Sequence, residues 1–141
     1  MVYAEFDENL VTGDELIDSQ HKELIERING LLEVCEKRDG KMAALKTLNY
    51  LADYTDFHFS AEEKLQEEIS YPGIKEHKEK HEELRQVVKD LFEMLEDQEG
   101  PTDEFVEQVN KNVTQWLYYH IKGFDRSVAE YKNMRNNPDL M

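Results

Sequence analysis

From Ile74 to Leu95 the positions that a folded chain would turn inward are Ile74, His77, His81, Leu84, Val88, Leu91 and Leu95, in steps of 3, 4, 3, 4, 3 and 4. Only an α-helix brings such positions onto one face. Three other segments carry the same signature. Ile17, His21, Leu24, Ile28, Leu31 and Cys35 step by 4, 3, 4, 3 and 4. Leu48, Leu51, Thr55, His58, Glu62, Leu65 and Ile69 step by 3, 4, 3, 4, 3 and 4. Phe105, Val109, Val113, Trp116 and His120 form the last stripe. No strand-like alternation competes with this periodicity.

Glycine and proline separate the stripes at "KRDGK", "SYPG" and "DQEGPT". The spacing predicts helices over 16–37, 41–69, 74–97 and 103–133. Gly40 is read as the stop of the first. Thr102, after Pro101 and before Asp103 and Glu104, is read as the N-cap of the fourth. Connections this short favour antiparallel neighbours. The expected fold is therefore all-α, an antiparallel up-down-up-down four-helix bundle, in one domain over 1–141. Residues 1–15 are expected as an arm packed through Tyr3, Phe6 and Leu10, with the bundle over 16–133 and a frayed tail over 134–141.

Of 141 residues, 32 are acidic and 17 basic, a formal net charge of -15. Such a surface repels nucleic acid and anionic membrane, so neither is an expected partner. No apolar run has the length of a membrane span, and "MVYAEFDENL" holds no signal-like apolar core. Cys35 is the single cysteine, so no internal disulfide can form, which suits a reducing, cytoplasmic setting.

All five histidines of the chain lie on stripes, with Glu62 among them. One such histidine reads as a satisfied core residue. Depth changes the reading. At ~1.5 Å of rise per residue, His21, His58, Glu62, His77, His81, His120 and Asp125 all lie ~5 to ~20 Å from one common end of the bundle. Buried together without a partner, these groups would be costly. A metal centre removes that cost, because neutral imidazole and carboxylate are its ligands. His58 with Glu62, and His77 with His81, are i, i+4 pairs that point two donors at one place. His120 and Asp125 are five apart, ~140° from alignment on a regular helix. A one-residue wide turn at Gly123 would align them. Taken alone, Asp125 before Arg126 reads as a surface acid. Seven candidates exceed one metal and suit two metals bridged by two carboxylates.

"IDSQHKEL", "HFSAEE", "HKEKH" and "WLYYHIKGFD" together resemble the hemerythrin family, over about Ile17 to Asp125. The resemblance implies a non-haem di-iron centre with an oxo or hydroxo bridge and reversible binding of dioxygen. His77, His81 and His120 would hold one iron, and His21 and His58 the other. Glu62 and Asp125 would bridge them. Leu24, Phe59, Trp116, Leu117 and Ile121 would line the dioxygen position at the His21/His58 iron. Leu65, Tyr3 and Phe6 depart from residues common in the family, and none of them belongs to the ligand set.

Five histidines against two carboxylates make the set nitrogen-rich, which suits oxygen binding better than oxygen activation. A carrier, store, scavenger or sensor of oxygen is the first expectation, as a monomer or weak homo-oligomer. The alternative is a di-iron enzyme of the same fold, a peroxidase, nitric oxide reductase or iron-repair protein. A proton donor at the open position would favour the enzyme. Tyr118 and Tyr119 adjoin His120 in sequence but project away from its face.

Overall fold

Each stripe becomes a helix because burying it removes apolar surface from water, at ~1.5–3 kcal/mol for each Leu, Ile or Phe side chain. The computed structural model describes residues 3–136, and its main elements are α1 (Glu15–Lys37), α2 (Lys41–Glu68), α3 (Ile74–Glu96) and α4, a continuous rod over 103–136. The described residues contain no strand. α1 packs on α2, α2 on α3, and α3 on the first part of α4. The starts of α1 and α3 share one end of the bundle with the ends of α2 and α4, as expected of alternating directions. Among the described residues, no helix is long and apolar enough to cross a membrane.

The helix ends have local causes. The Asp14 carboxylate accepts the Ile17 N–H at 2.9 Å and caps α1. The Thr102 hydroxyl accepts the Phe105 N–H at 3.1 Å and caps α4, ahead of Asp103 and Glu104. The stop of α1 differs from expectation. Arg38 takes the left-handed conformation, φ 56°, and Gly40 instead precedes α2 at φ 100°. So short a turn needs two left-handed positions, and the second lies where side chains rarely go.

α4 is longer and less regular than its stripe implies. It continues to Asn136, three residues past the expected end; 137–141, the rest of the expected tail, lie outside the described residues. Two wide turns interrupt it, at Asn110–Thr114 and Ile121–Asp125. In the first, the Gln115 N–H reaches back to the Asn110 carbonyl, one residue beyond the regular partner. The inward face therefore slips by one residue. Thr114 and Leu117 are buried, while Trp116, expected inward, is half-buried. α2 shows a smaller correction: beyond Glu62 the buried residue is Gln66, with Leu65 and Ile69 half-buried.

The bundle interior has two halves. Leu31, Leu32, Leu48, Leu95, Phe105 and Val109, all completely buried, fill the end away from the histidines. The arm runs along the bundle from beside Glu36, near the end of α1, and passes through a short 3-10 turn, Glu8–Leu10, before α1. Leu10 and Ala4 are buried and Phe6 packs on the core, whereas Tyr3 is exposed and its hydroxyl donates to Glu36. Asn29 holds Ala4 by both backbone groups, accepting its N–H at 2.7 Å and donating to its carbonyl at 2.8 Å.

Candidate metal centre

His21 comes from α1, His58 and Glu62 from α2, His77 and His81 from α3, and His120 and Asp125 from α4. All seven are buried. Asp125 reaches the cluster through the second wide turn, in which the Arg126 N–H bonds to the Ile121 carbonyl. Gly123 is not what permits that turn: a Cβ there would meet nothing within 4 Å, and its φ is not positive. The turn follows from where the side chains must go, not from a soft backbone.

Each carboxylate faces two ways. Glu62 Oε1 lies 2.7 Å from His77 Nε2 and 3.3 Å from His81 Nε2, while Oε2 lies 3.8 Å from His58 Nε2. Asp125 Oδ1 lies 2.9 Å from His77 Nε2 and 3.1 Å from His120 Nε2. Its Oδ2 lies 2.7 Å from His21 Nε2 and 4.0 Å from His58 Nε2. The donors thus form two groups that share both carboxylates. Glu62, His77, His81, His120 and Asp125 make one, and His21, His58, Glu62 and Asp125 the other, with donor atoms within 4.8 Å of one another in each.

Both Glu62 oxygens, His58 Nε2 and His81 Nε2 are buried without a hydrogen-bond partner. Unsatisfied buried groups of this kind are costly. Burial drives the basicity of the imidazoles down at His58 and His77, and down to about 2 at His81. Burial, reinforced by the charge of Asp125, raises the Glu62 carboxyl well above the usual range. Burial also pushes Asp125 up, but the charge of His120 and hydrogen bonds from His120, His21 and His58 outweigh it, and the carboxyl sits well below its ordinary value. Two close carboxylates that resist ionising together, beside imidazoles kept neutral, form a donor set suited to cations.

The backs of three rings are held. His58 Nδ1 donates to Gln20 Oε1 at 2.6 Å, and His81 Nδ1 to Glu63 Oε2 at 2.7 Å. The Gln66 amide lies 3.0 Å from His77 Nδ1. Gln20, Glu63 and Gln66 carry no mark in the stripes except one: Gln66 stands four residues beyond Glu62, so the inward face continues through it.

Leu24, Phe59, Leu117 and Ile121 are all buried. Phe59 stacks on His81, with centroids 3.8 Å apart and planes 5° apart. Trp116 stacks on His120 at 4.5 Å and 12°. Phe59 also lies against His58, with centroids 5.9 Å apart, so it touches both groups, whereas Trp116 stacks on the three-histidine group. The Trp116 indole N–H points outward, 3.4 Å from Glu83. The Tyr118 hydroxyl accepts the Glu5 N–H at 2.8 Å, and Tyr119 is 76% exposed.

Comparison with known proteins bears on the family and the fold. Residues 12–131 match the hemerythrin HHE cation binding domain. A bacteriohemerythrin of Stenotrophomonas maltophilia is 31% identical over 130 residues, 92% of this chain and 82% of that protein. A bacteriohemerythrin of Aquifex aeolicus is 27% identical over 118 residues, 84% of this chain and 88% of its own. A crystal structure of a hemerythrin point mutant superposes with a TM-score of 0.81 at 24% identity, over 92% of this chain and 97% of its own.

Proposed function

The chain belongs to the hemerythrin family, and from that membership and the buried cluster we propose that it holds two iron ions and binds dioxygen reversibly. The observation that carries the reading is the pair of donor groups sharing Glu62 and Asp125. His77, His81 and His120 would hold one ion, His21 and His58 the other, with both carboxylates common to the two. Five protein donors serve the first position and four the second, which leaves the second with room for a small ligand. When bound, the irons supply the electrons that dioxygen takes up and returns.

The remaining chemistry belongs to the chain. Reversal requires that no acid near the second position supplies protons and that water is kept out. Leu24, Leu117 and Ile121 offer no proton. The two tyrosine hydroxyls and the indole N–H nearest in sequence to His120 point elsewhere. This supports a carrier, store, scavenger or sensor over a peroxidase or reductase. Gln20 orients His58 as a neutral acceptor, and Gln66 orients His77 with its amide nitrogen toward Nδ1. An amide can turn its oxygen to a ring N–H by a half rotation, so Gln66 can accept the Nδ1 proton of His77 once Nε2 is a donor to metal.

The test is stopped-flow mixing of the reduced, iron-loaded protein with oxygen, then removal of oxygen. The expected result is an optical change that appears and fully reverses. Steady oxygen consumption with a reductant, faster than release, would establish the enzyme reading instead.

A further inference from the structure

The five imidazoles are not held alike. His58 and His77 have amides at Nδ1, and His21 Nδ1 and His120 Nδ1 have no hydrogen-bond partner. Among the described residues only His81 has a carboxylate there, Glu63 Oε2 at 2.7 Å. A charged acceptor makes a stronger hydrogen bond than an amide and draws the ring proton further. The ring then becomes a more anionic donor at Nε2. Glu63 is itself held from behind. Arg85 Nη1 lies 3.7 Å from its Oε2, and the same guanidinium pairs with Asp56 at 2.8 Å and Glu82 at 2.5 Å. That guanidinium also lies 5.3 Å from the centroid of Phe59, the ring stacked on His81. One arginine thus covers both neighbours of a single imidazole, and among the described residues no carboxylate stands at Nδ1 of the other four.

We propose that Glu63, restrained by Arg85, is a positioning residue that strengthens His81 as a donor and makes the three-histidine position the one that better holds a trivalent ion. This rests on the two-iron reading above. Glu63 pulls the proton of the ring toward itself, and Arg85 limits that pull by neutralising part of the carboxylate charge. The two residues therefore act with opposite sign, which a packing role would not produce.

Three variants test it. Glu63→Gln keeps an acceptor but removes the charge. Arg85→Met keeps the stem over Phe59 but removes the opposite charge. Glu79→Gln removes an exposed acid two residues from His81 and serves as the control for general charge. The first readout is titration of the metal-free protein with cobalt(II) by its visible bands. The second is the midpoint potential of the iron-loaded protein.

Wild type should take up two cobalt ions. Glu63→Gln should weaken one of the two by about 10-fold or more and leave the other unchanged. It should shift the ferric-to-ferrous ratio about tenfold toward ferrous, about 59 mV upward for one electron. Arg85→Met should move the potential downward, and Glu79→Gln should move neither quantity. Unchanged affinity and potential in Glu63→Gln would overturn the inference alone. So would shifts of the same sign in Glu63→Gln and Arg85→Met, or a shift in Glu79→Gln as large as that in Glu63→Gln. A wild type that binds one cobalt ion or none would overturn the two-iron reading, and the inference with it.

Discussion

Without metal, the cluster should make the fold sensitive to mild acid. His81 is held neutral by burial, its basicity down to about 2 from an unfolded value near 6.5. Below pH 6.5 the unfolded chain takes a proton there that the folded chain refuses, so stability falls as pH falls. At pH 5, 1.5 units below the unfolded value, that one residue costs ~2 kcal/mol, at ~1.36 kcal/mol per unit. His58 and His77 are lowered by burial as well and add losses of the same sign. Glu62 acts oppositely: its raised carboxyl keeps a proton in the fold that the unfolded chain gives up, which favours the fold on acidification. Asp125, held low, contributes no change until the pH falls below its unfolded value of 3.8. Glu62 opposes the three histidines, so the ~2 kcal/mol of His81 is read as a difference between the unsubstituted protein and His81→Gln, not from the net pH dependence. Against a typical total of 5–15 kcal/mol, that is a visible fraction. The assay is urea unfolding of the metal-free protein at pH 7 and pH 5, followed by circular dichroism. Metal-free His81→Gln should show a pH dependence smaller by ~2 kcal/mol. The same pH dependence in His81→Gln as in the unsubstituted protein would refute the burial argument.

Other outcomes follow from single residues. Ile121→Asn or Leu24→Ser should keep metal in place but speed loss of the oxygen-binding form, about tenfold if the barrier falls by ~1.4 kcal/mol; absorbance decay in air measures it, and unchanged decay would remove these residues from the oxygen site. Thr114→Val deletes a buried hydroxyl without a partner while keeping its shape, and should raise stability by ~1 kcal/mol in thermal melts. Asp14→Ala should cost ~1 kcal/mol by removing the cap of α1 and the 2.6 Å pair with Lys132. Burial raises the Asp14 carboxyl, but Lys132 and the Ile17 N–H outweigh it and hold it low. Its contribution is therefore present above pH 3.8 and should be lost below it.

The helices could be placed within one residue along most of the bundle because the stripes change phase where "KRDGK", "SYPG" and "DQEGPT" interrupt them. The wide turn before Asp125 was also legible, because a five-residue gap cannot otherwise align two side chains. The turn at Asn110–Thr114 was not. There Thr114 is buried beside Val113, and Leu117 takes the inward place expected of Trp116; Trp116 and Leu117 are neighbours of similar apolar character, so the sequence holds no contradiction to resolve. The same ambiguity moved Trp116 off the inward face. The partners of the rings were hidden for another reason. Gln20, Glu63 and Gln66 reach histidines 38, 18 and 11 residues away, on other helices, and no periodicity within one helix records such a contact.

The most direct test of the account is the iron content of the purified protein and of His58→Ala, after expression in iron-replete medium. The protein should carry two irons per chain, matching the two donor groups. His58→Ala removes one of the two nitrogens at the second position and should retain about one iron. A chain that carries a single tightly bound zinc and no iron, or a His58→Ala protein that still holds two irons, would contradict the two-iron centre.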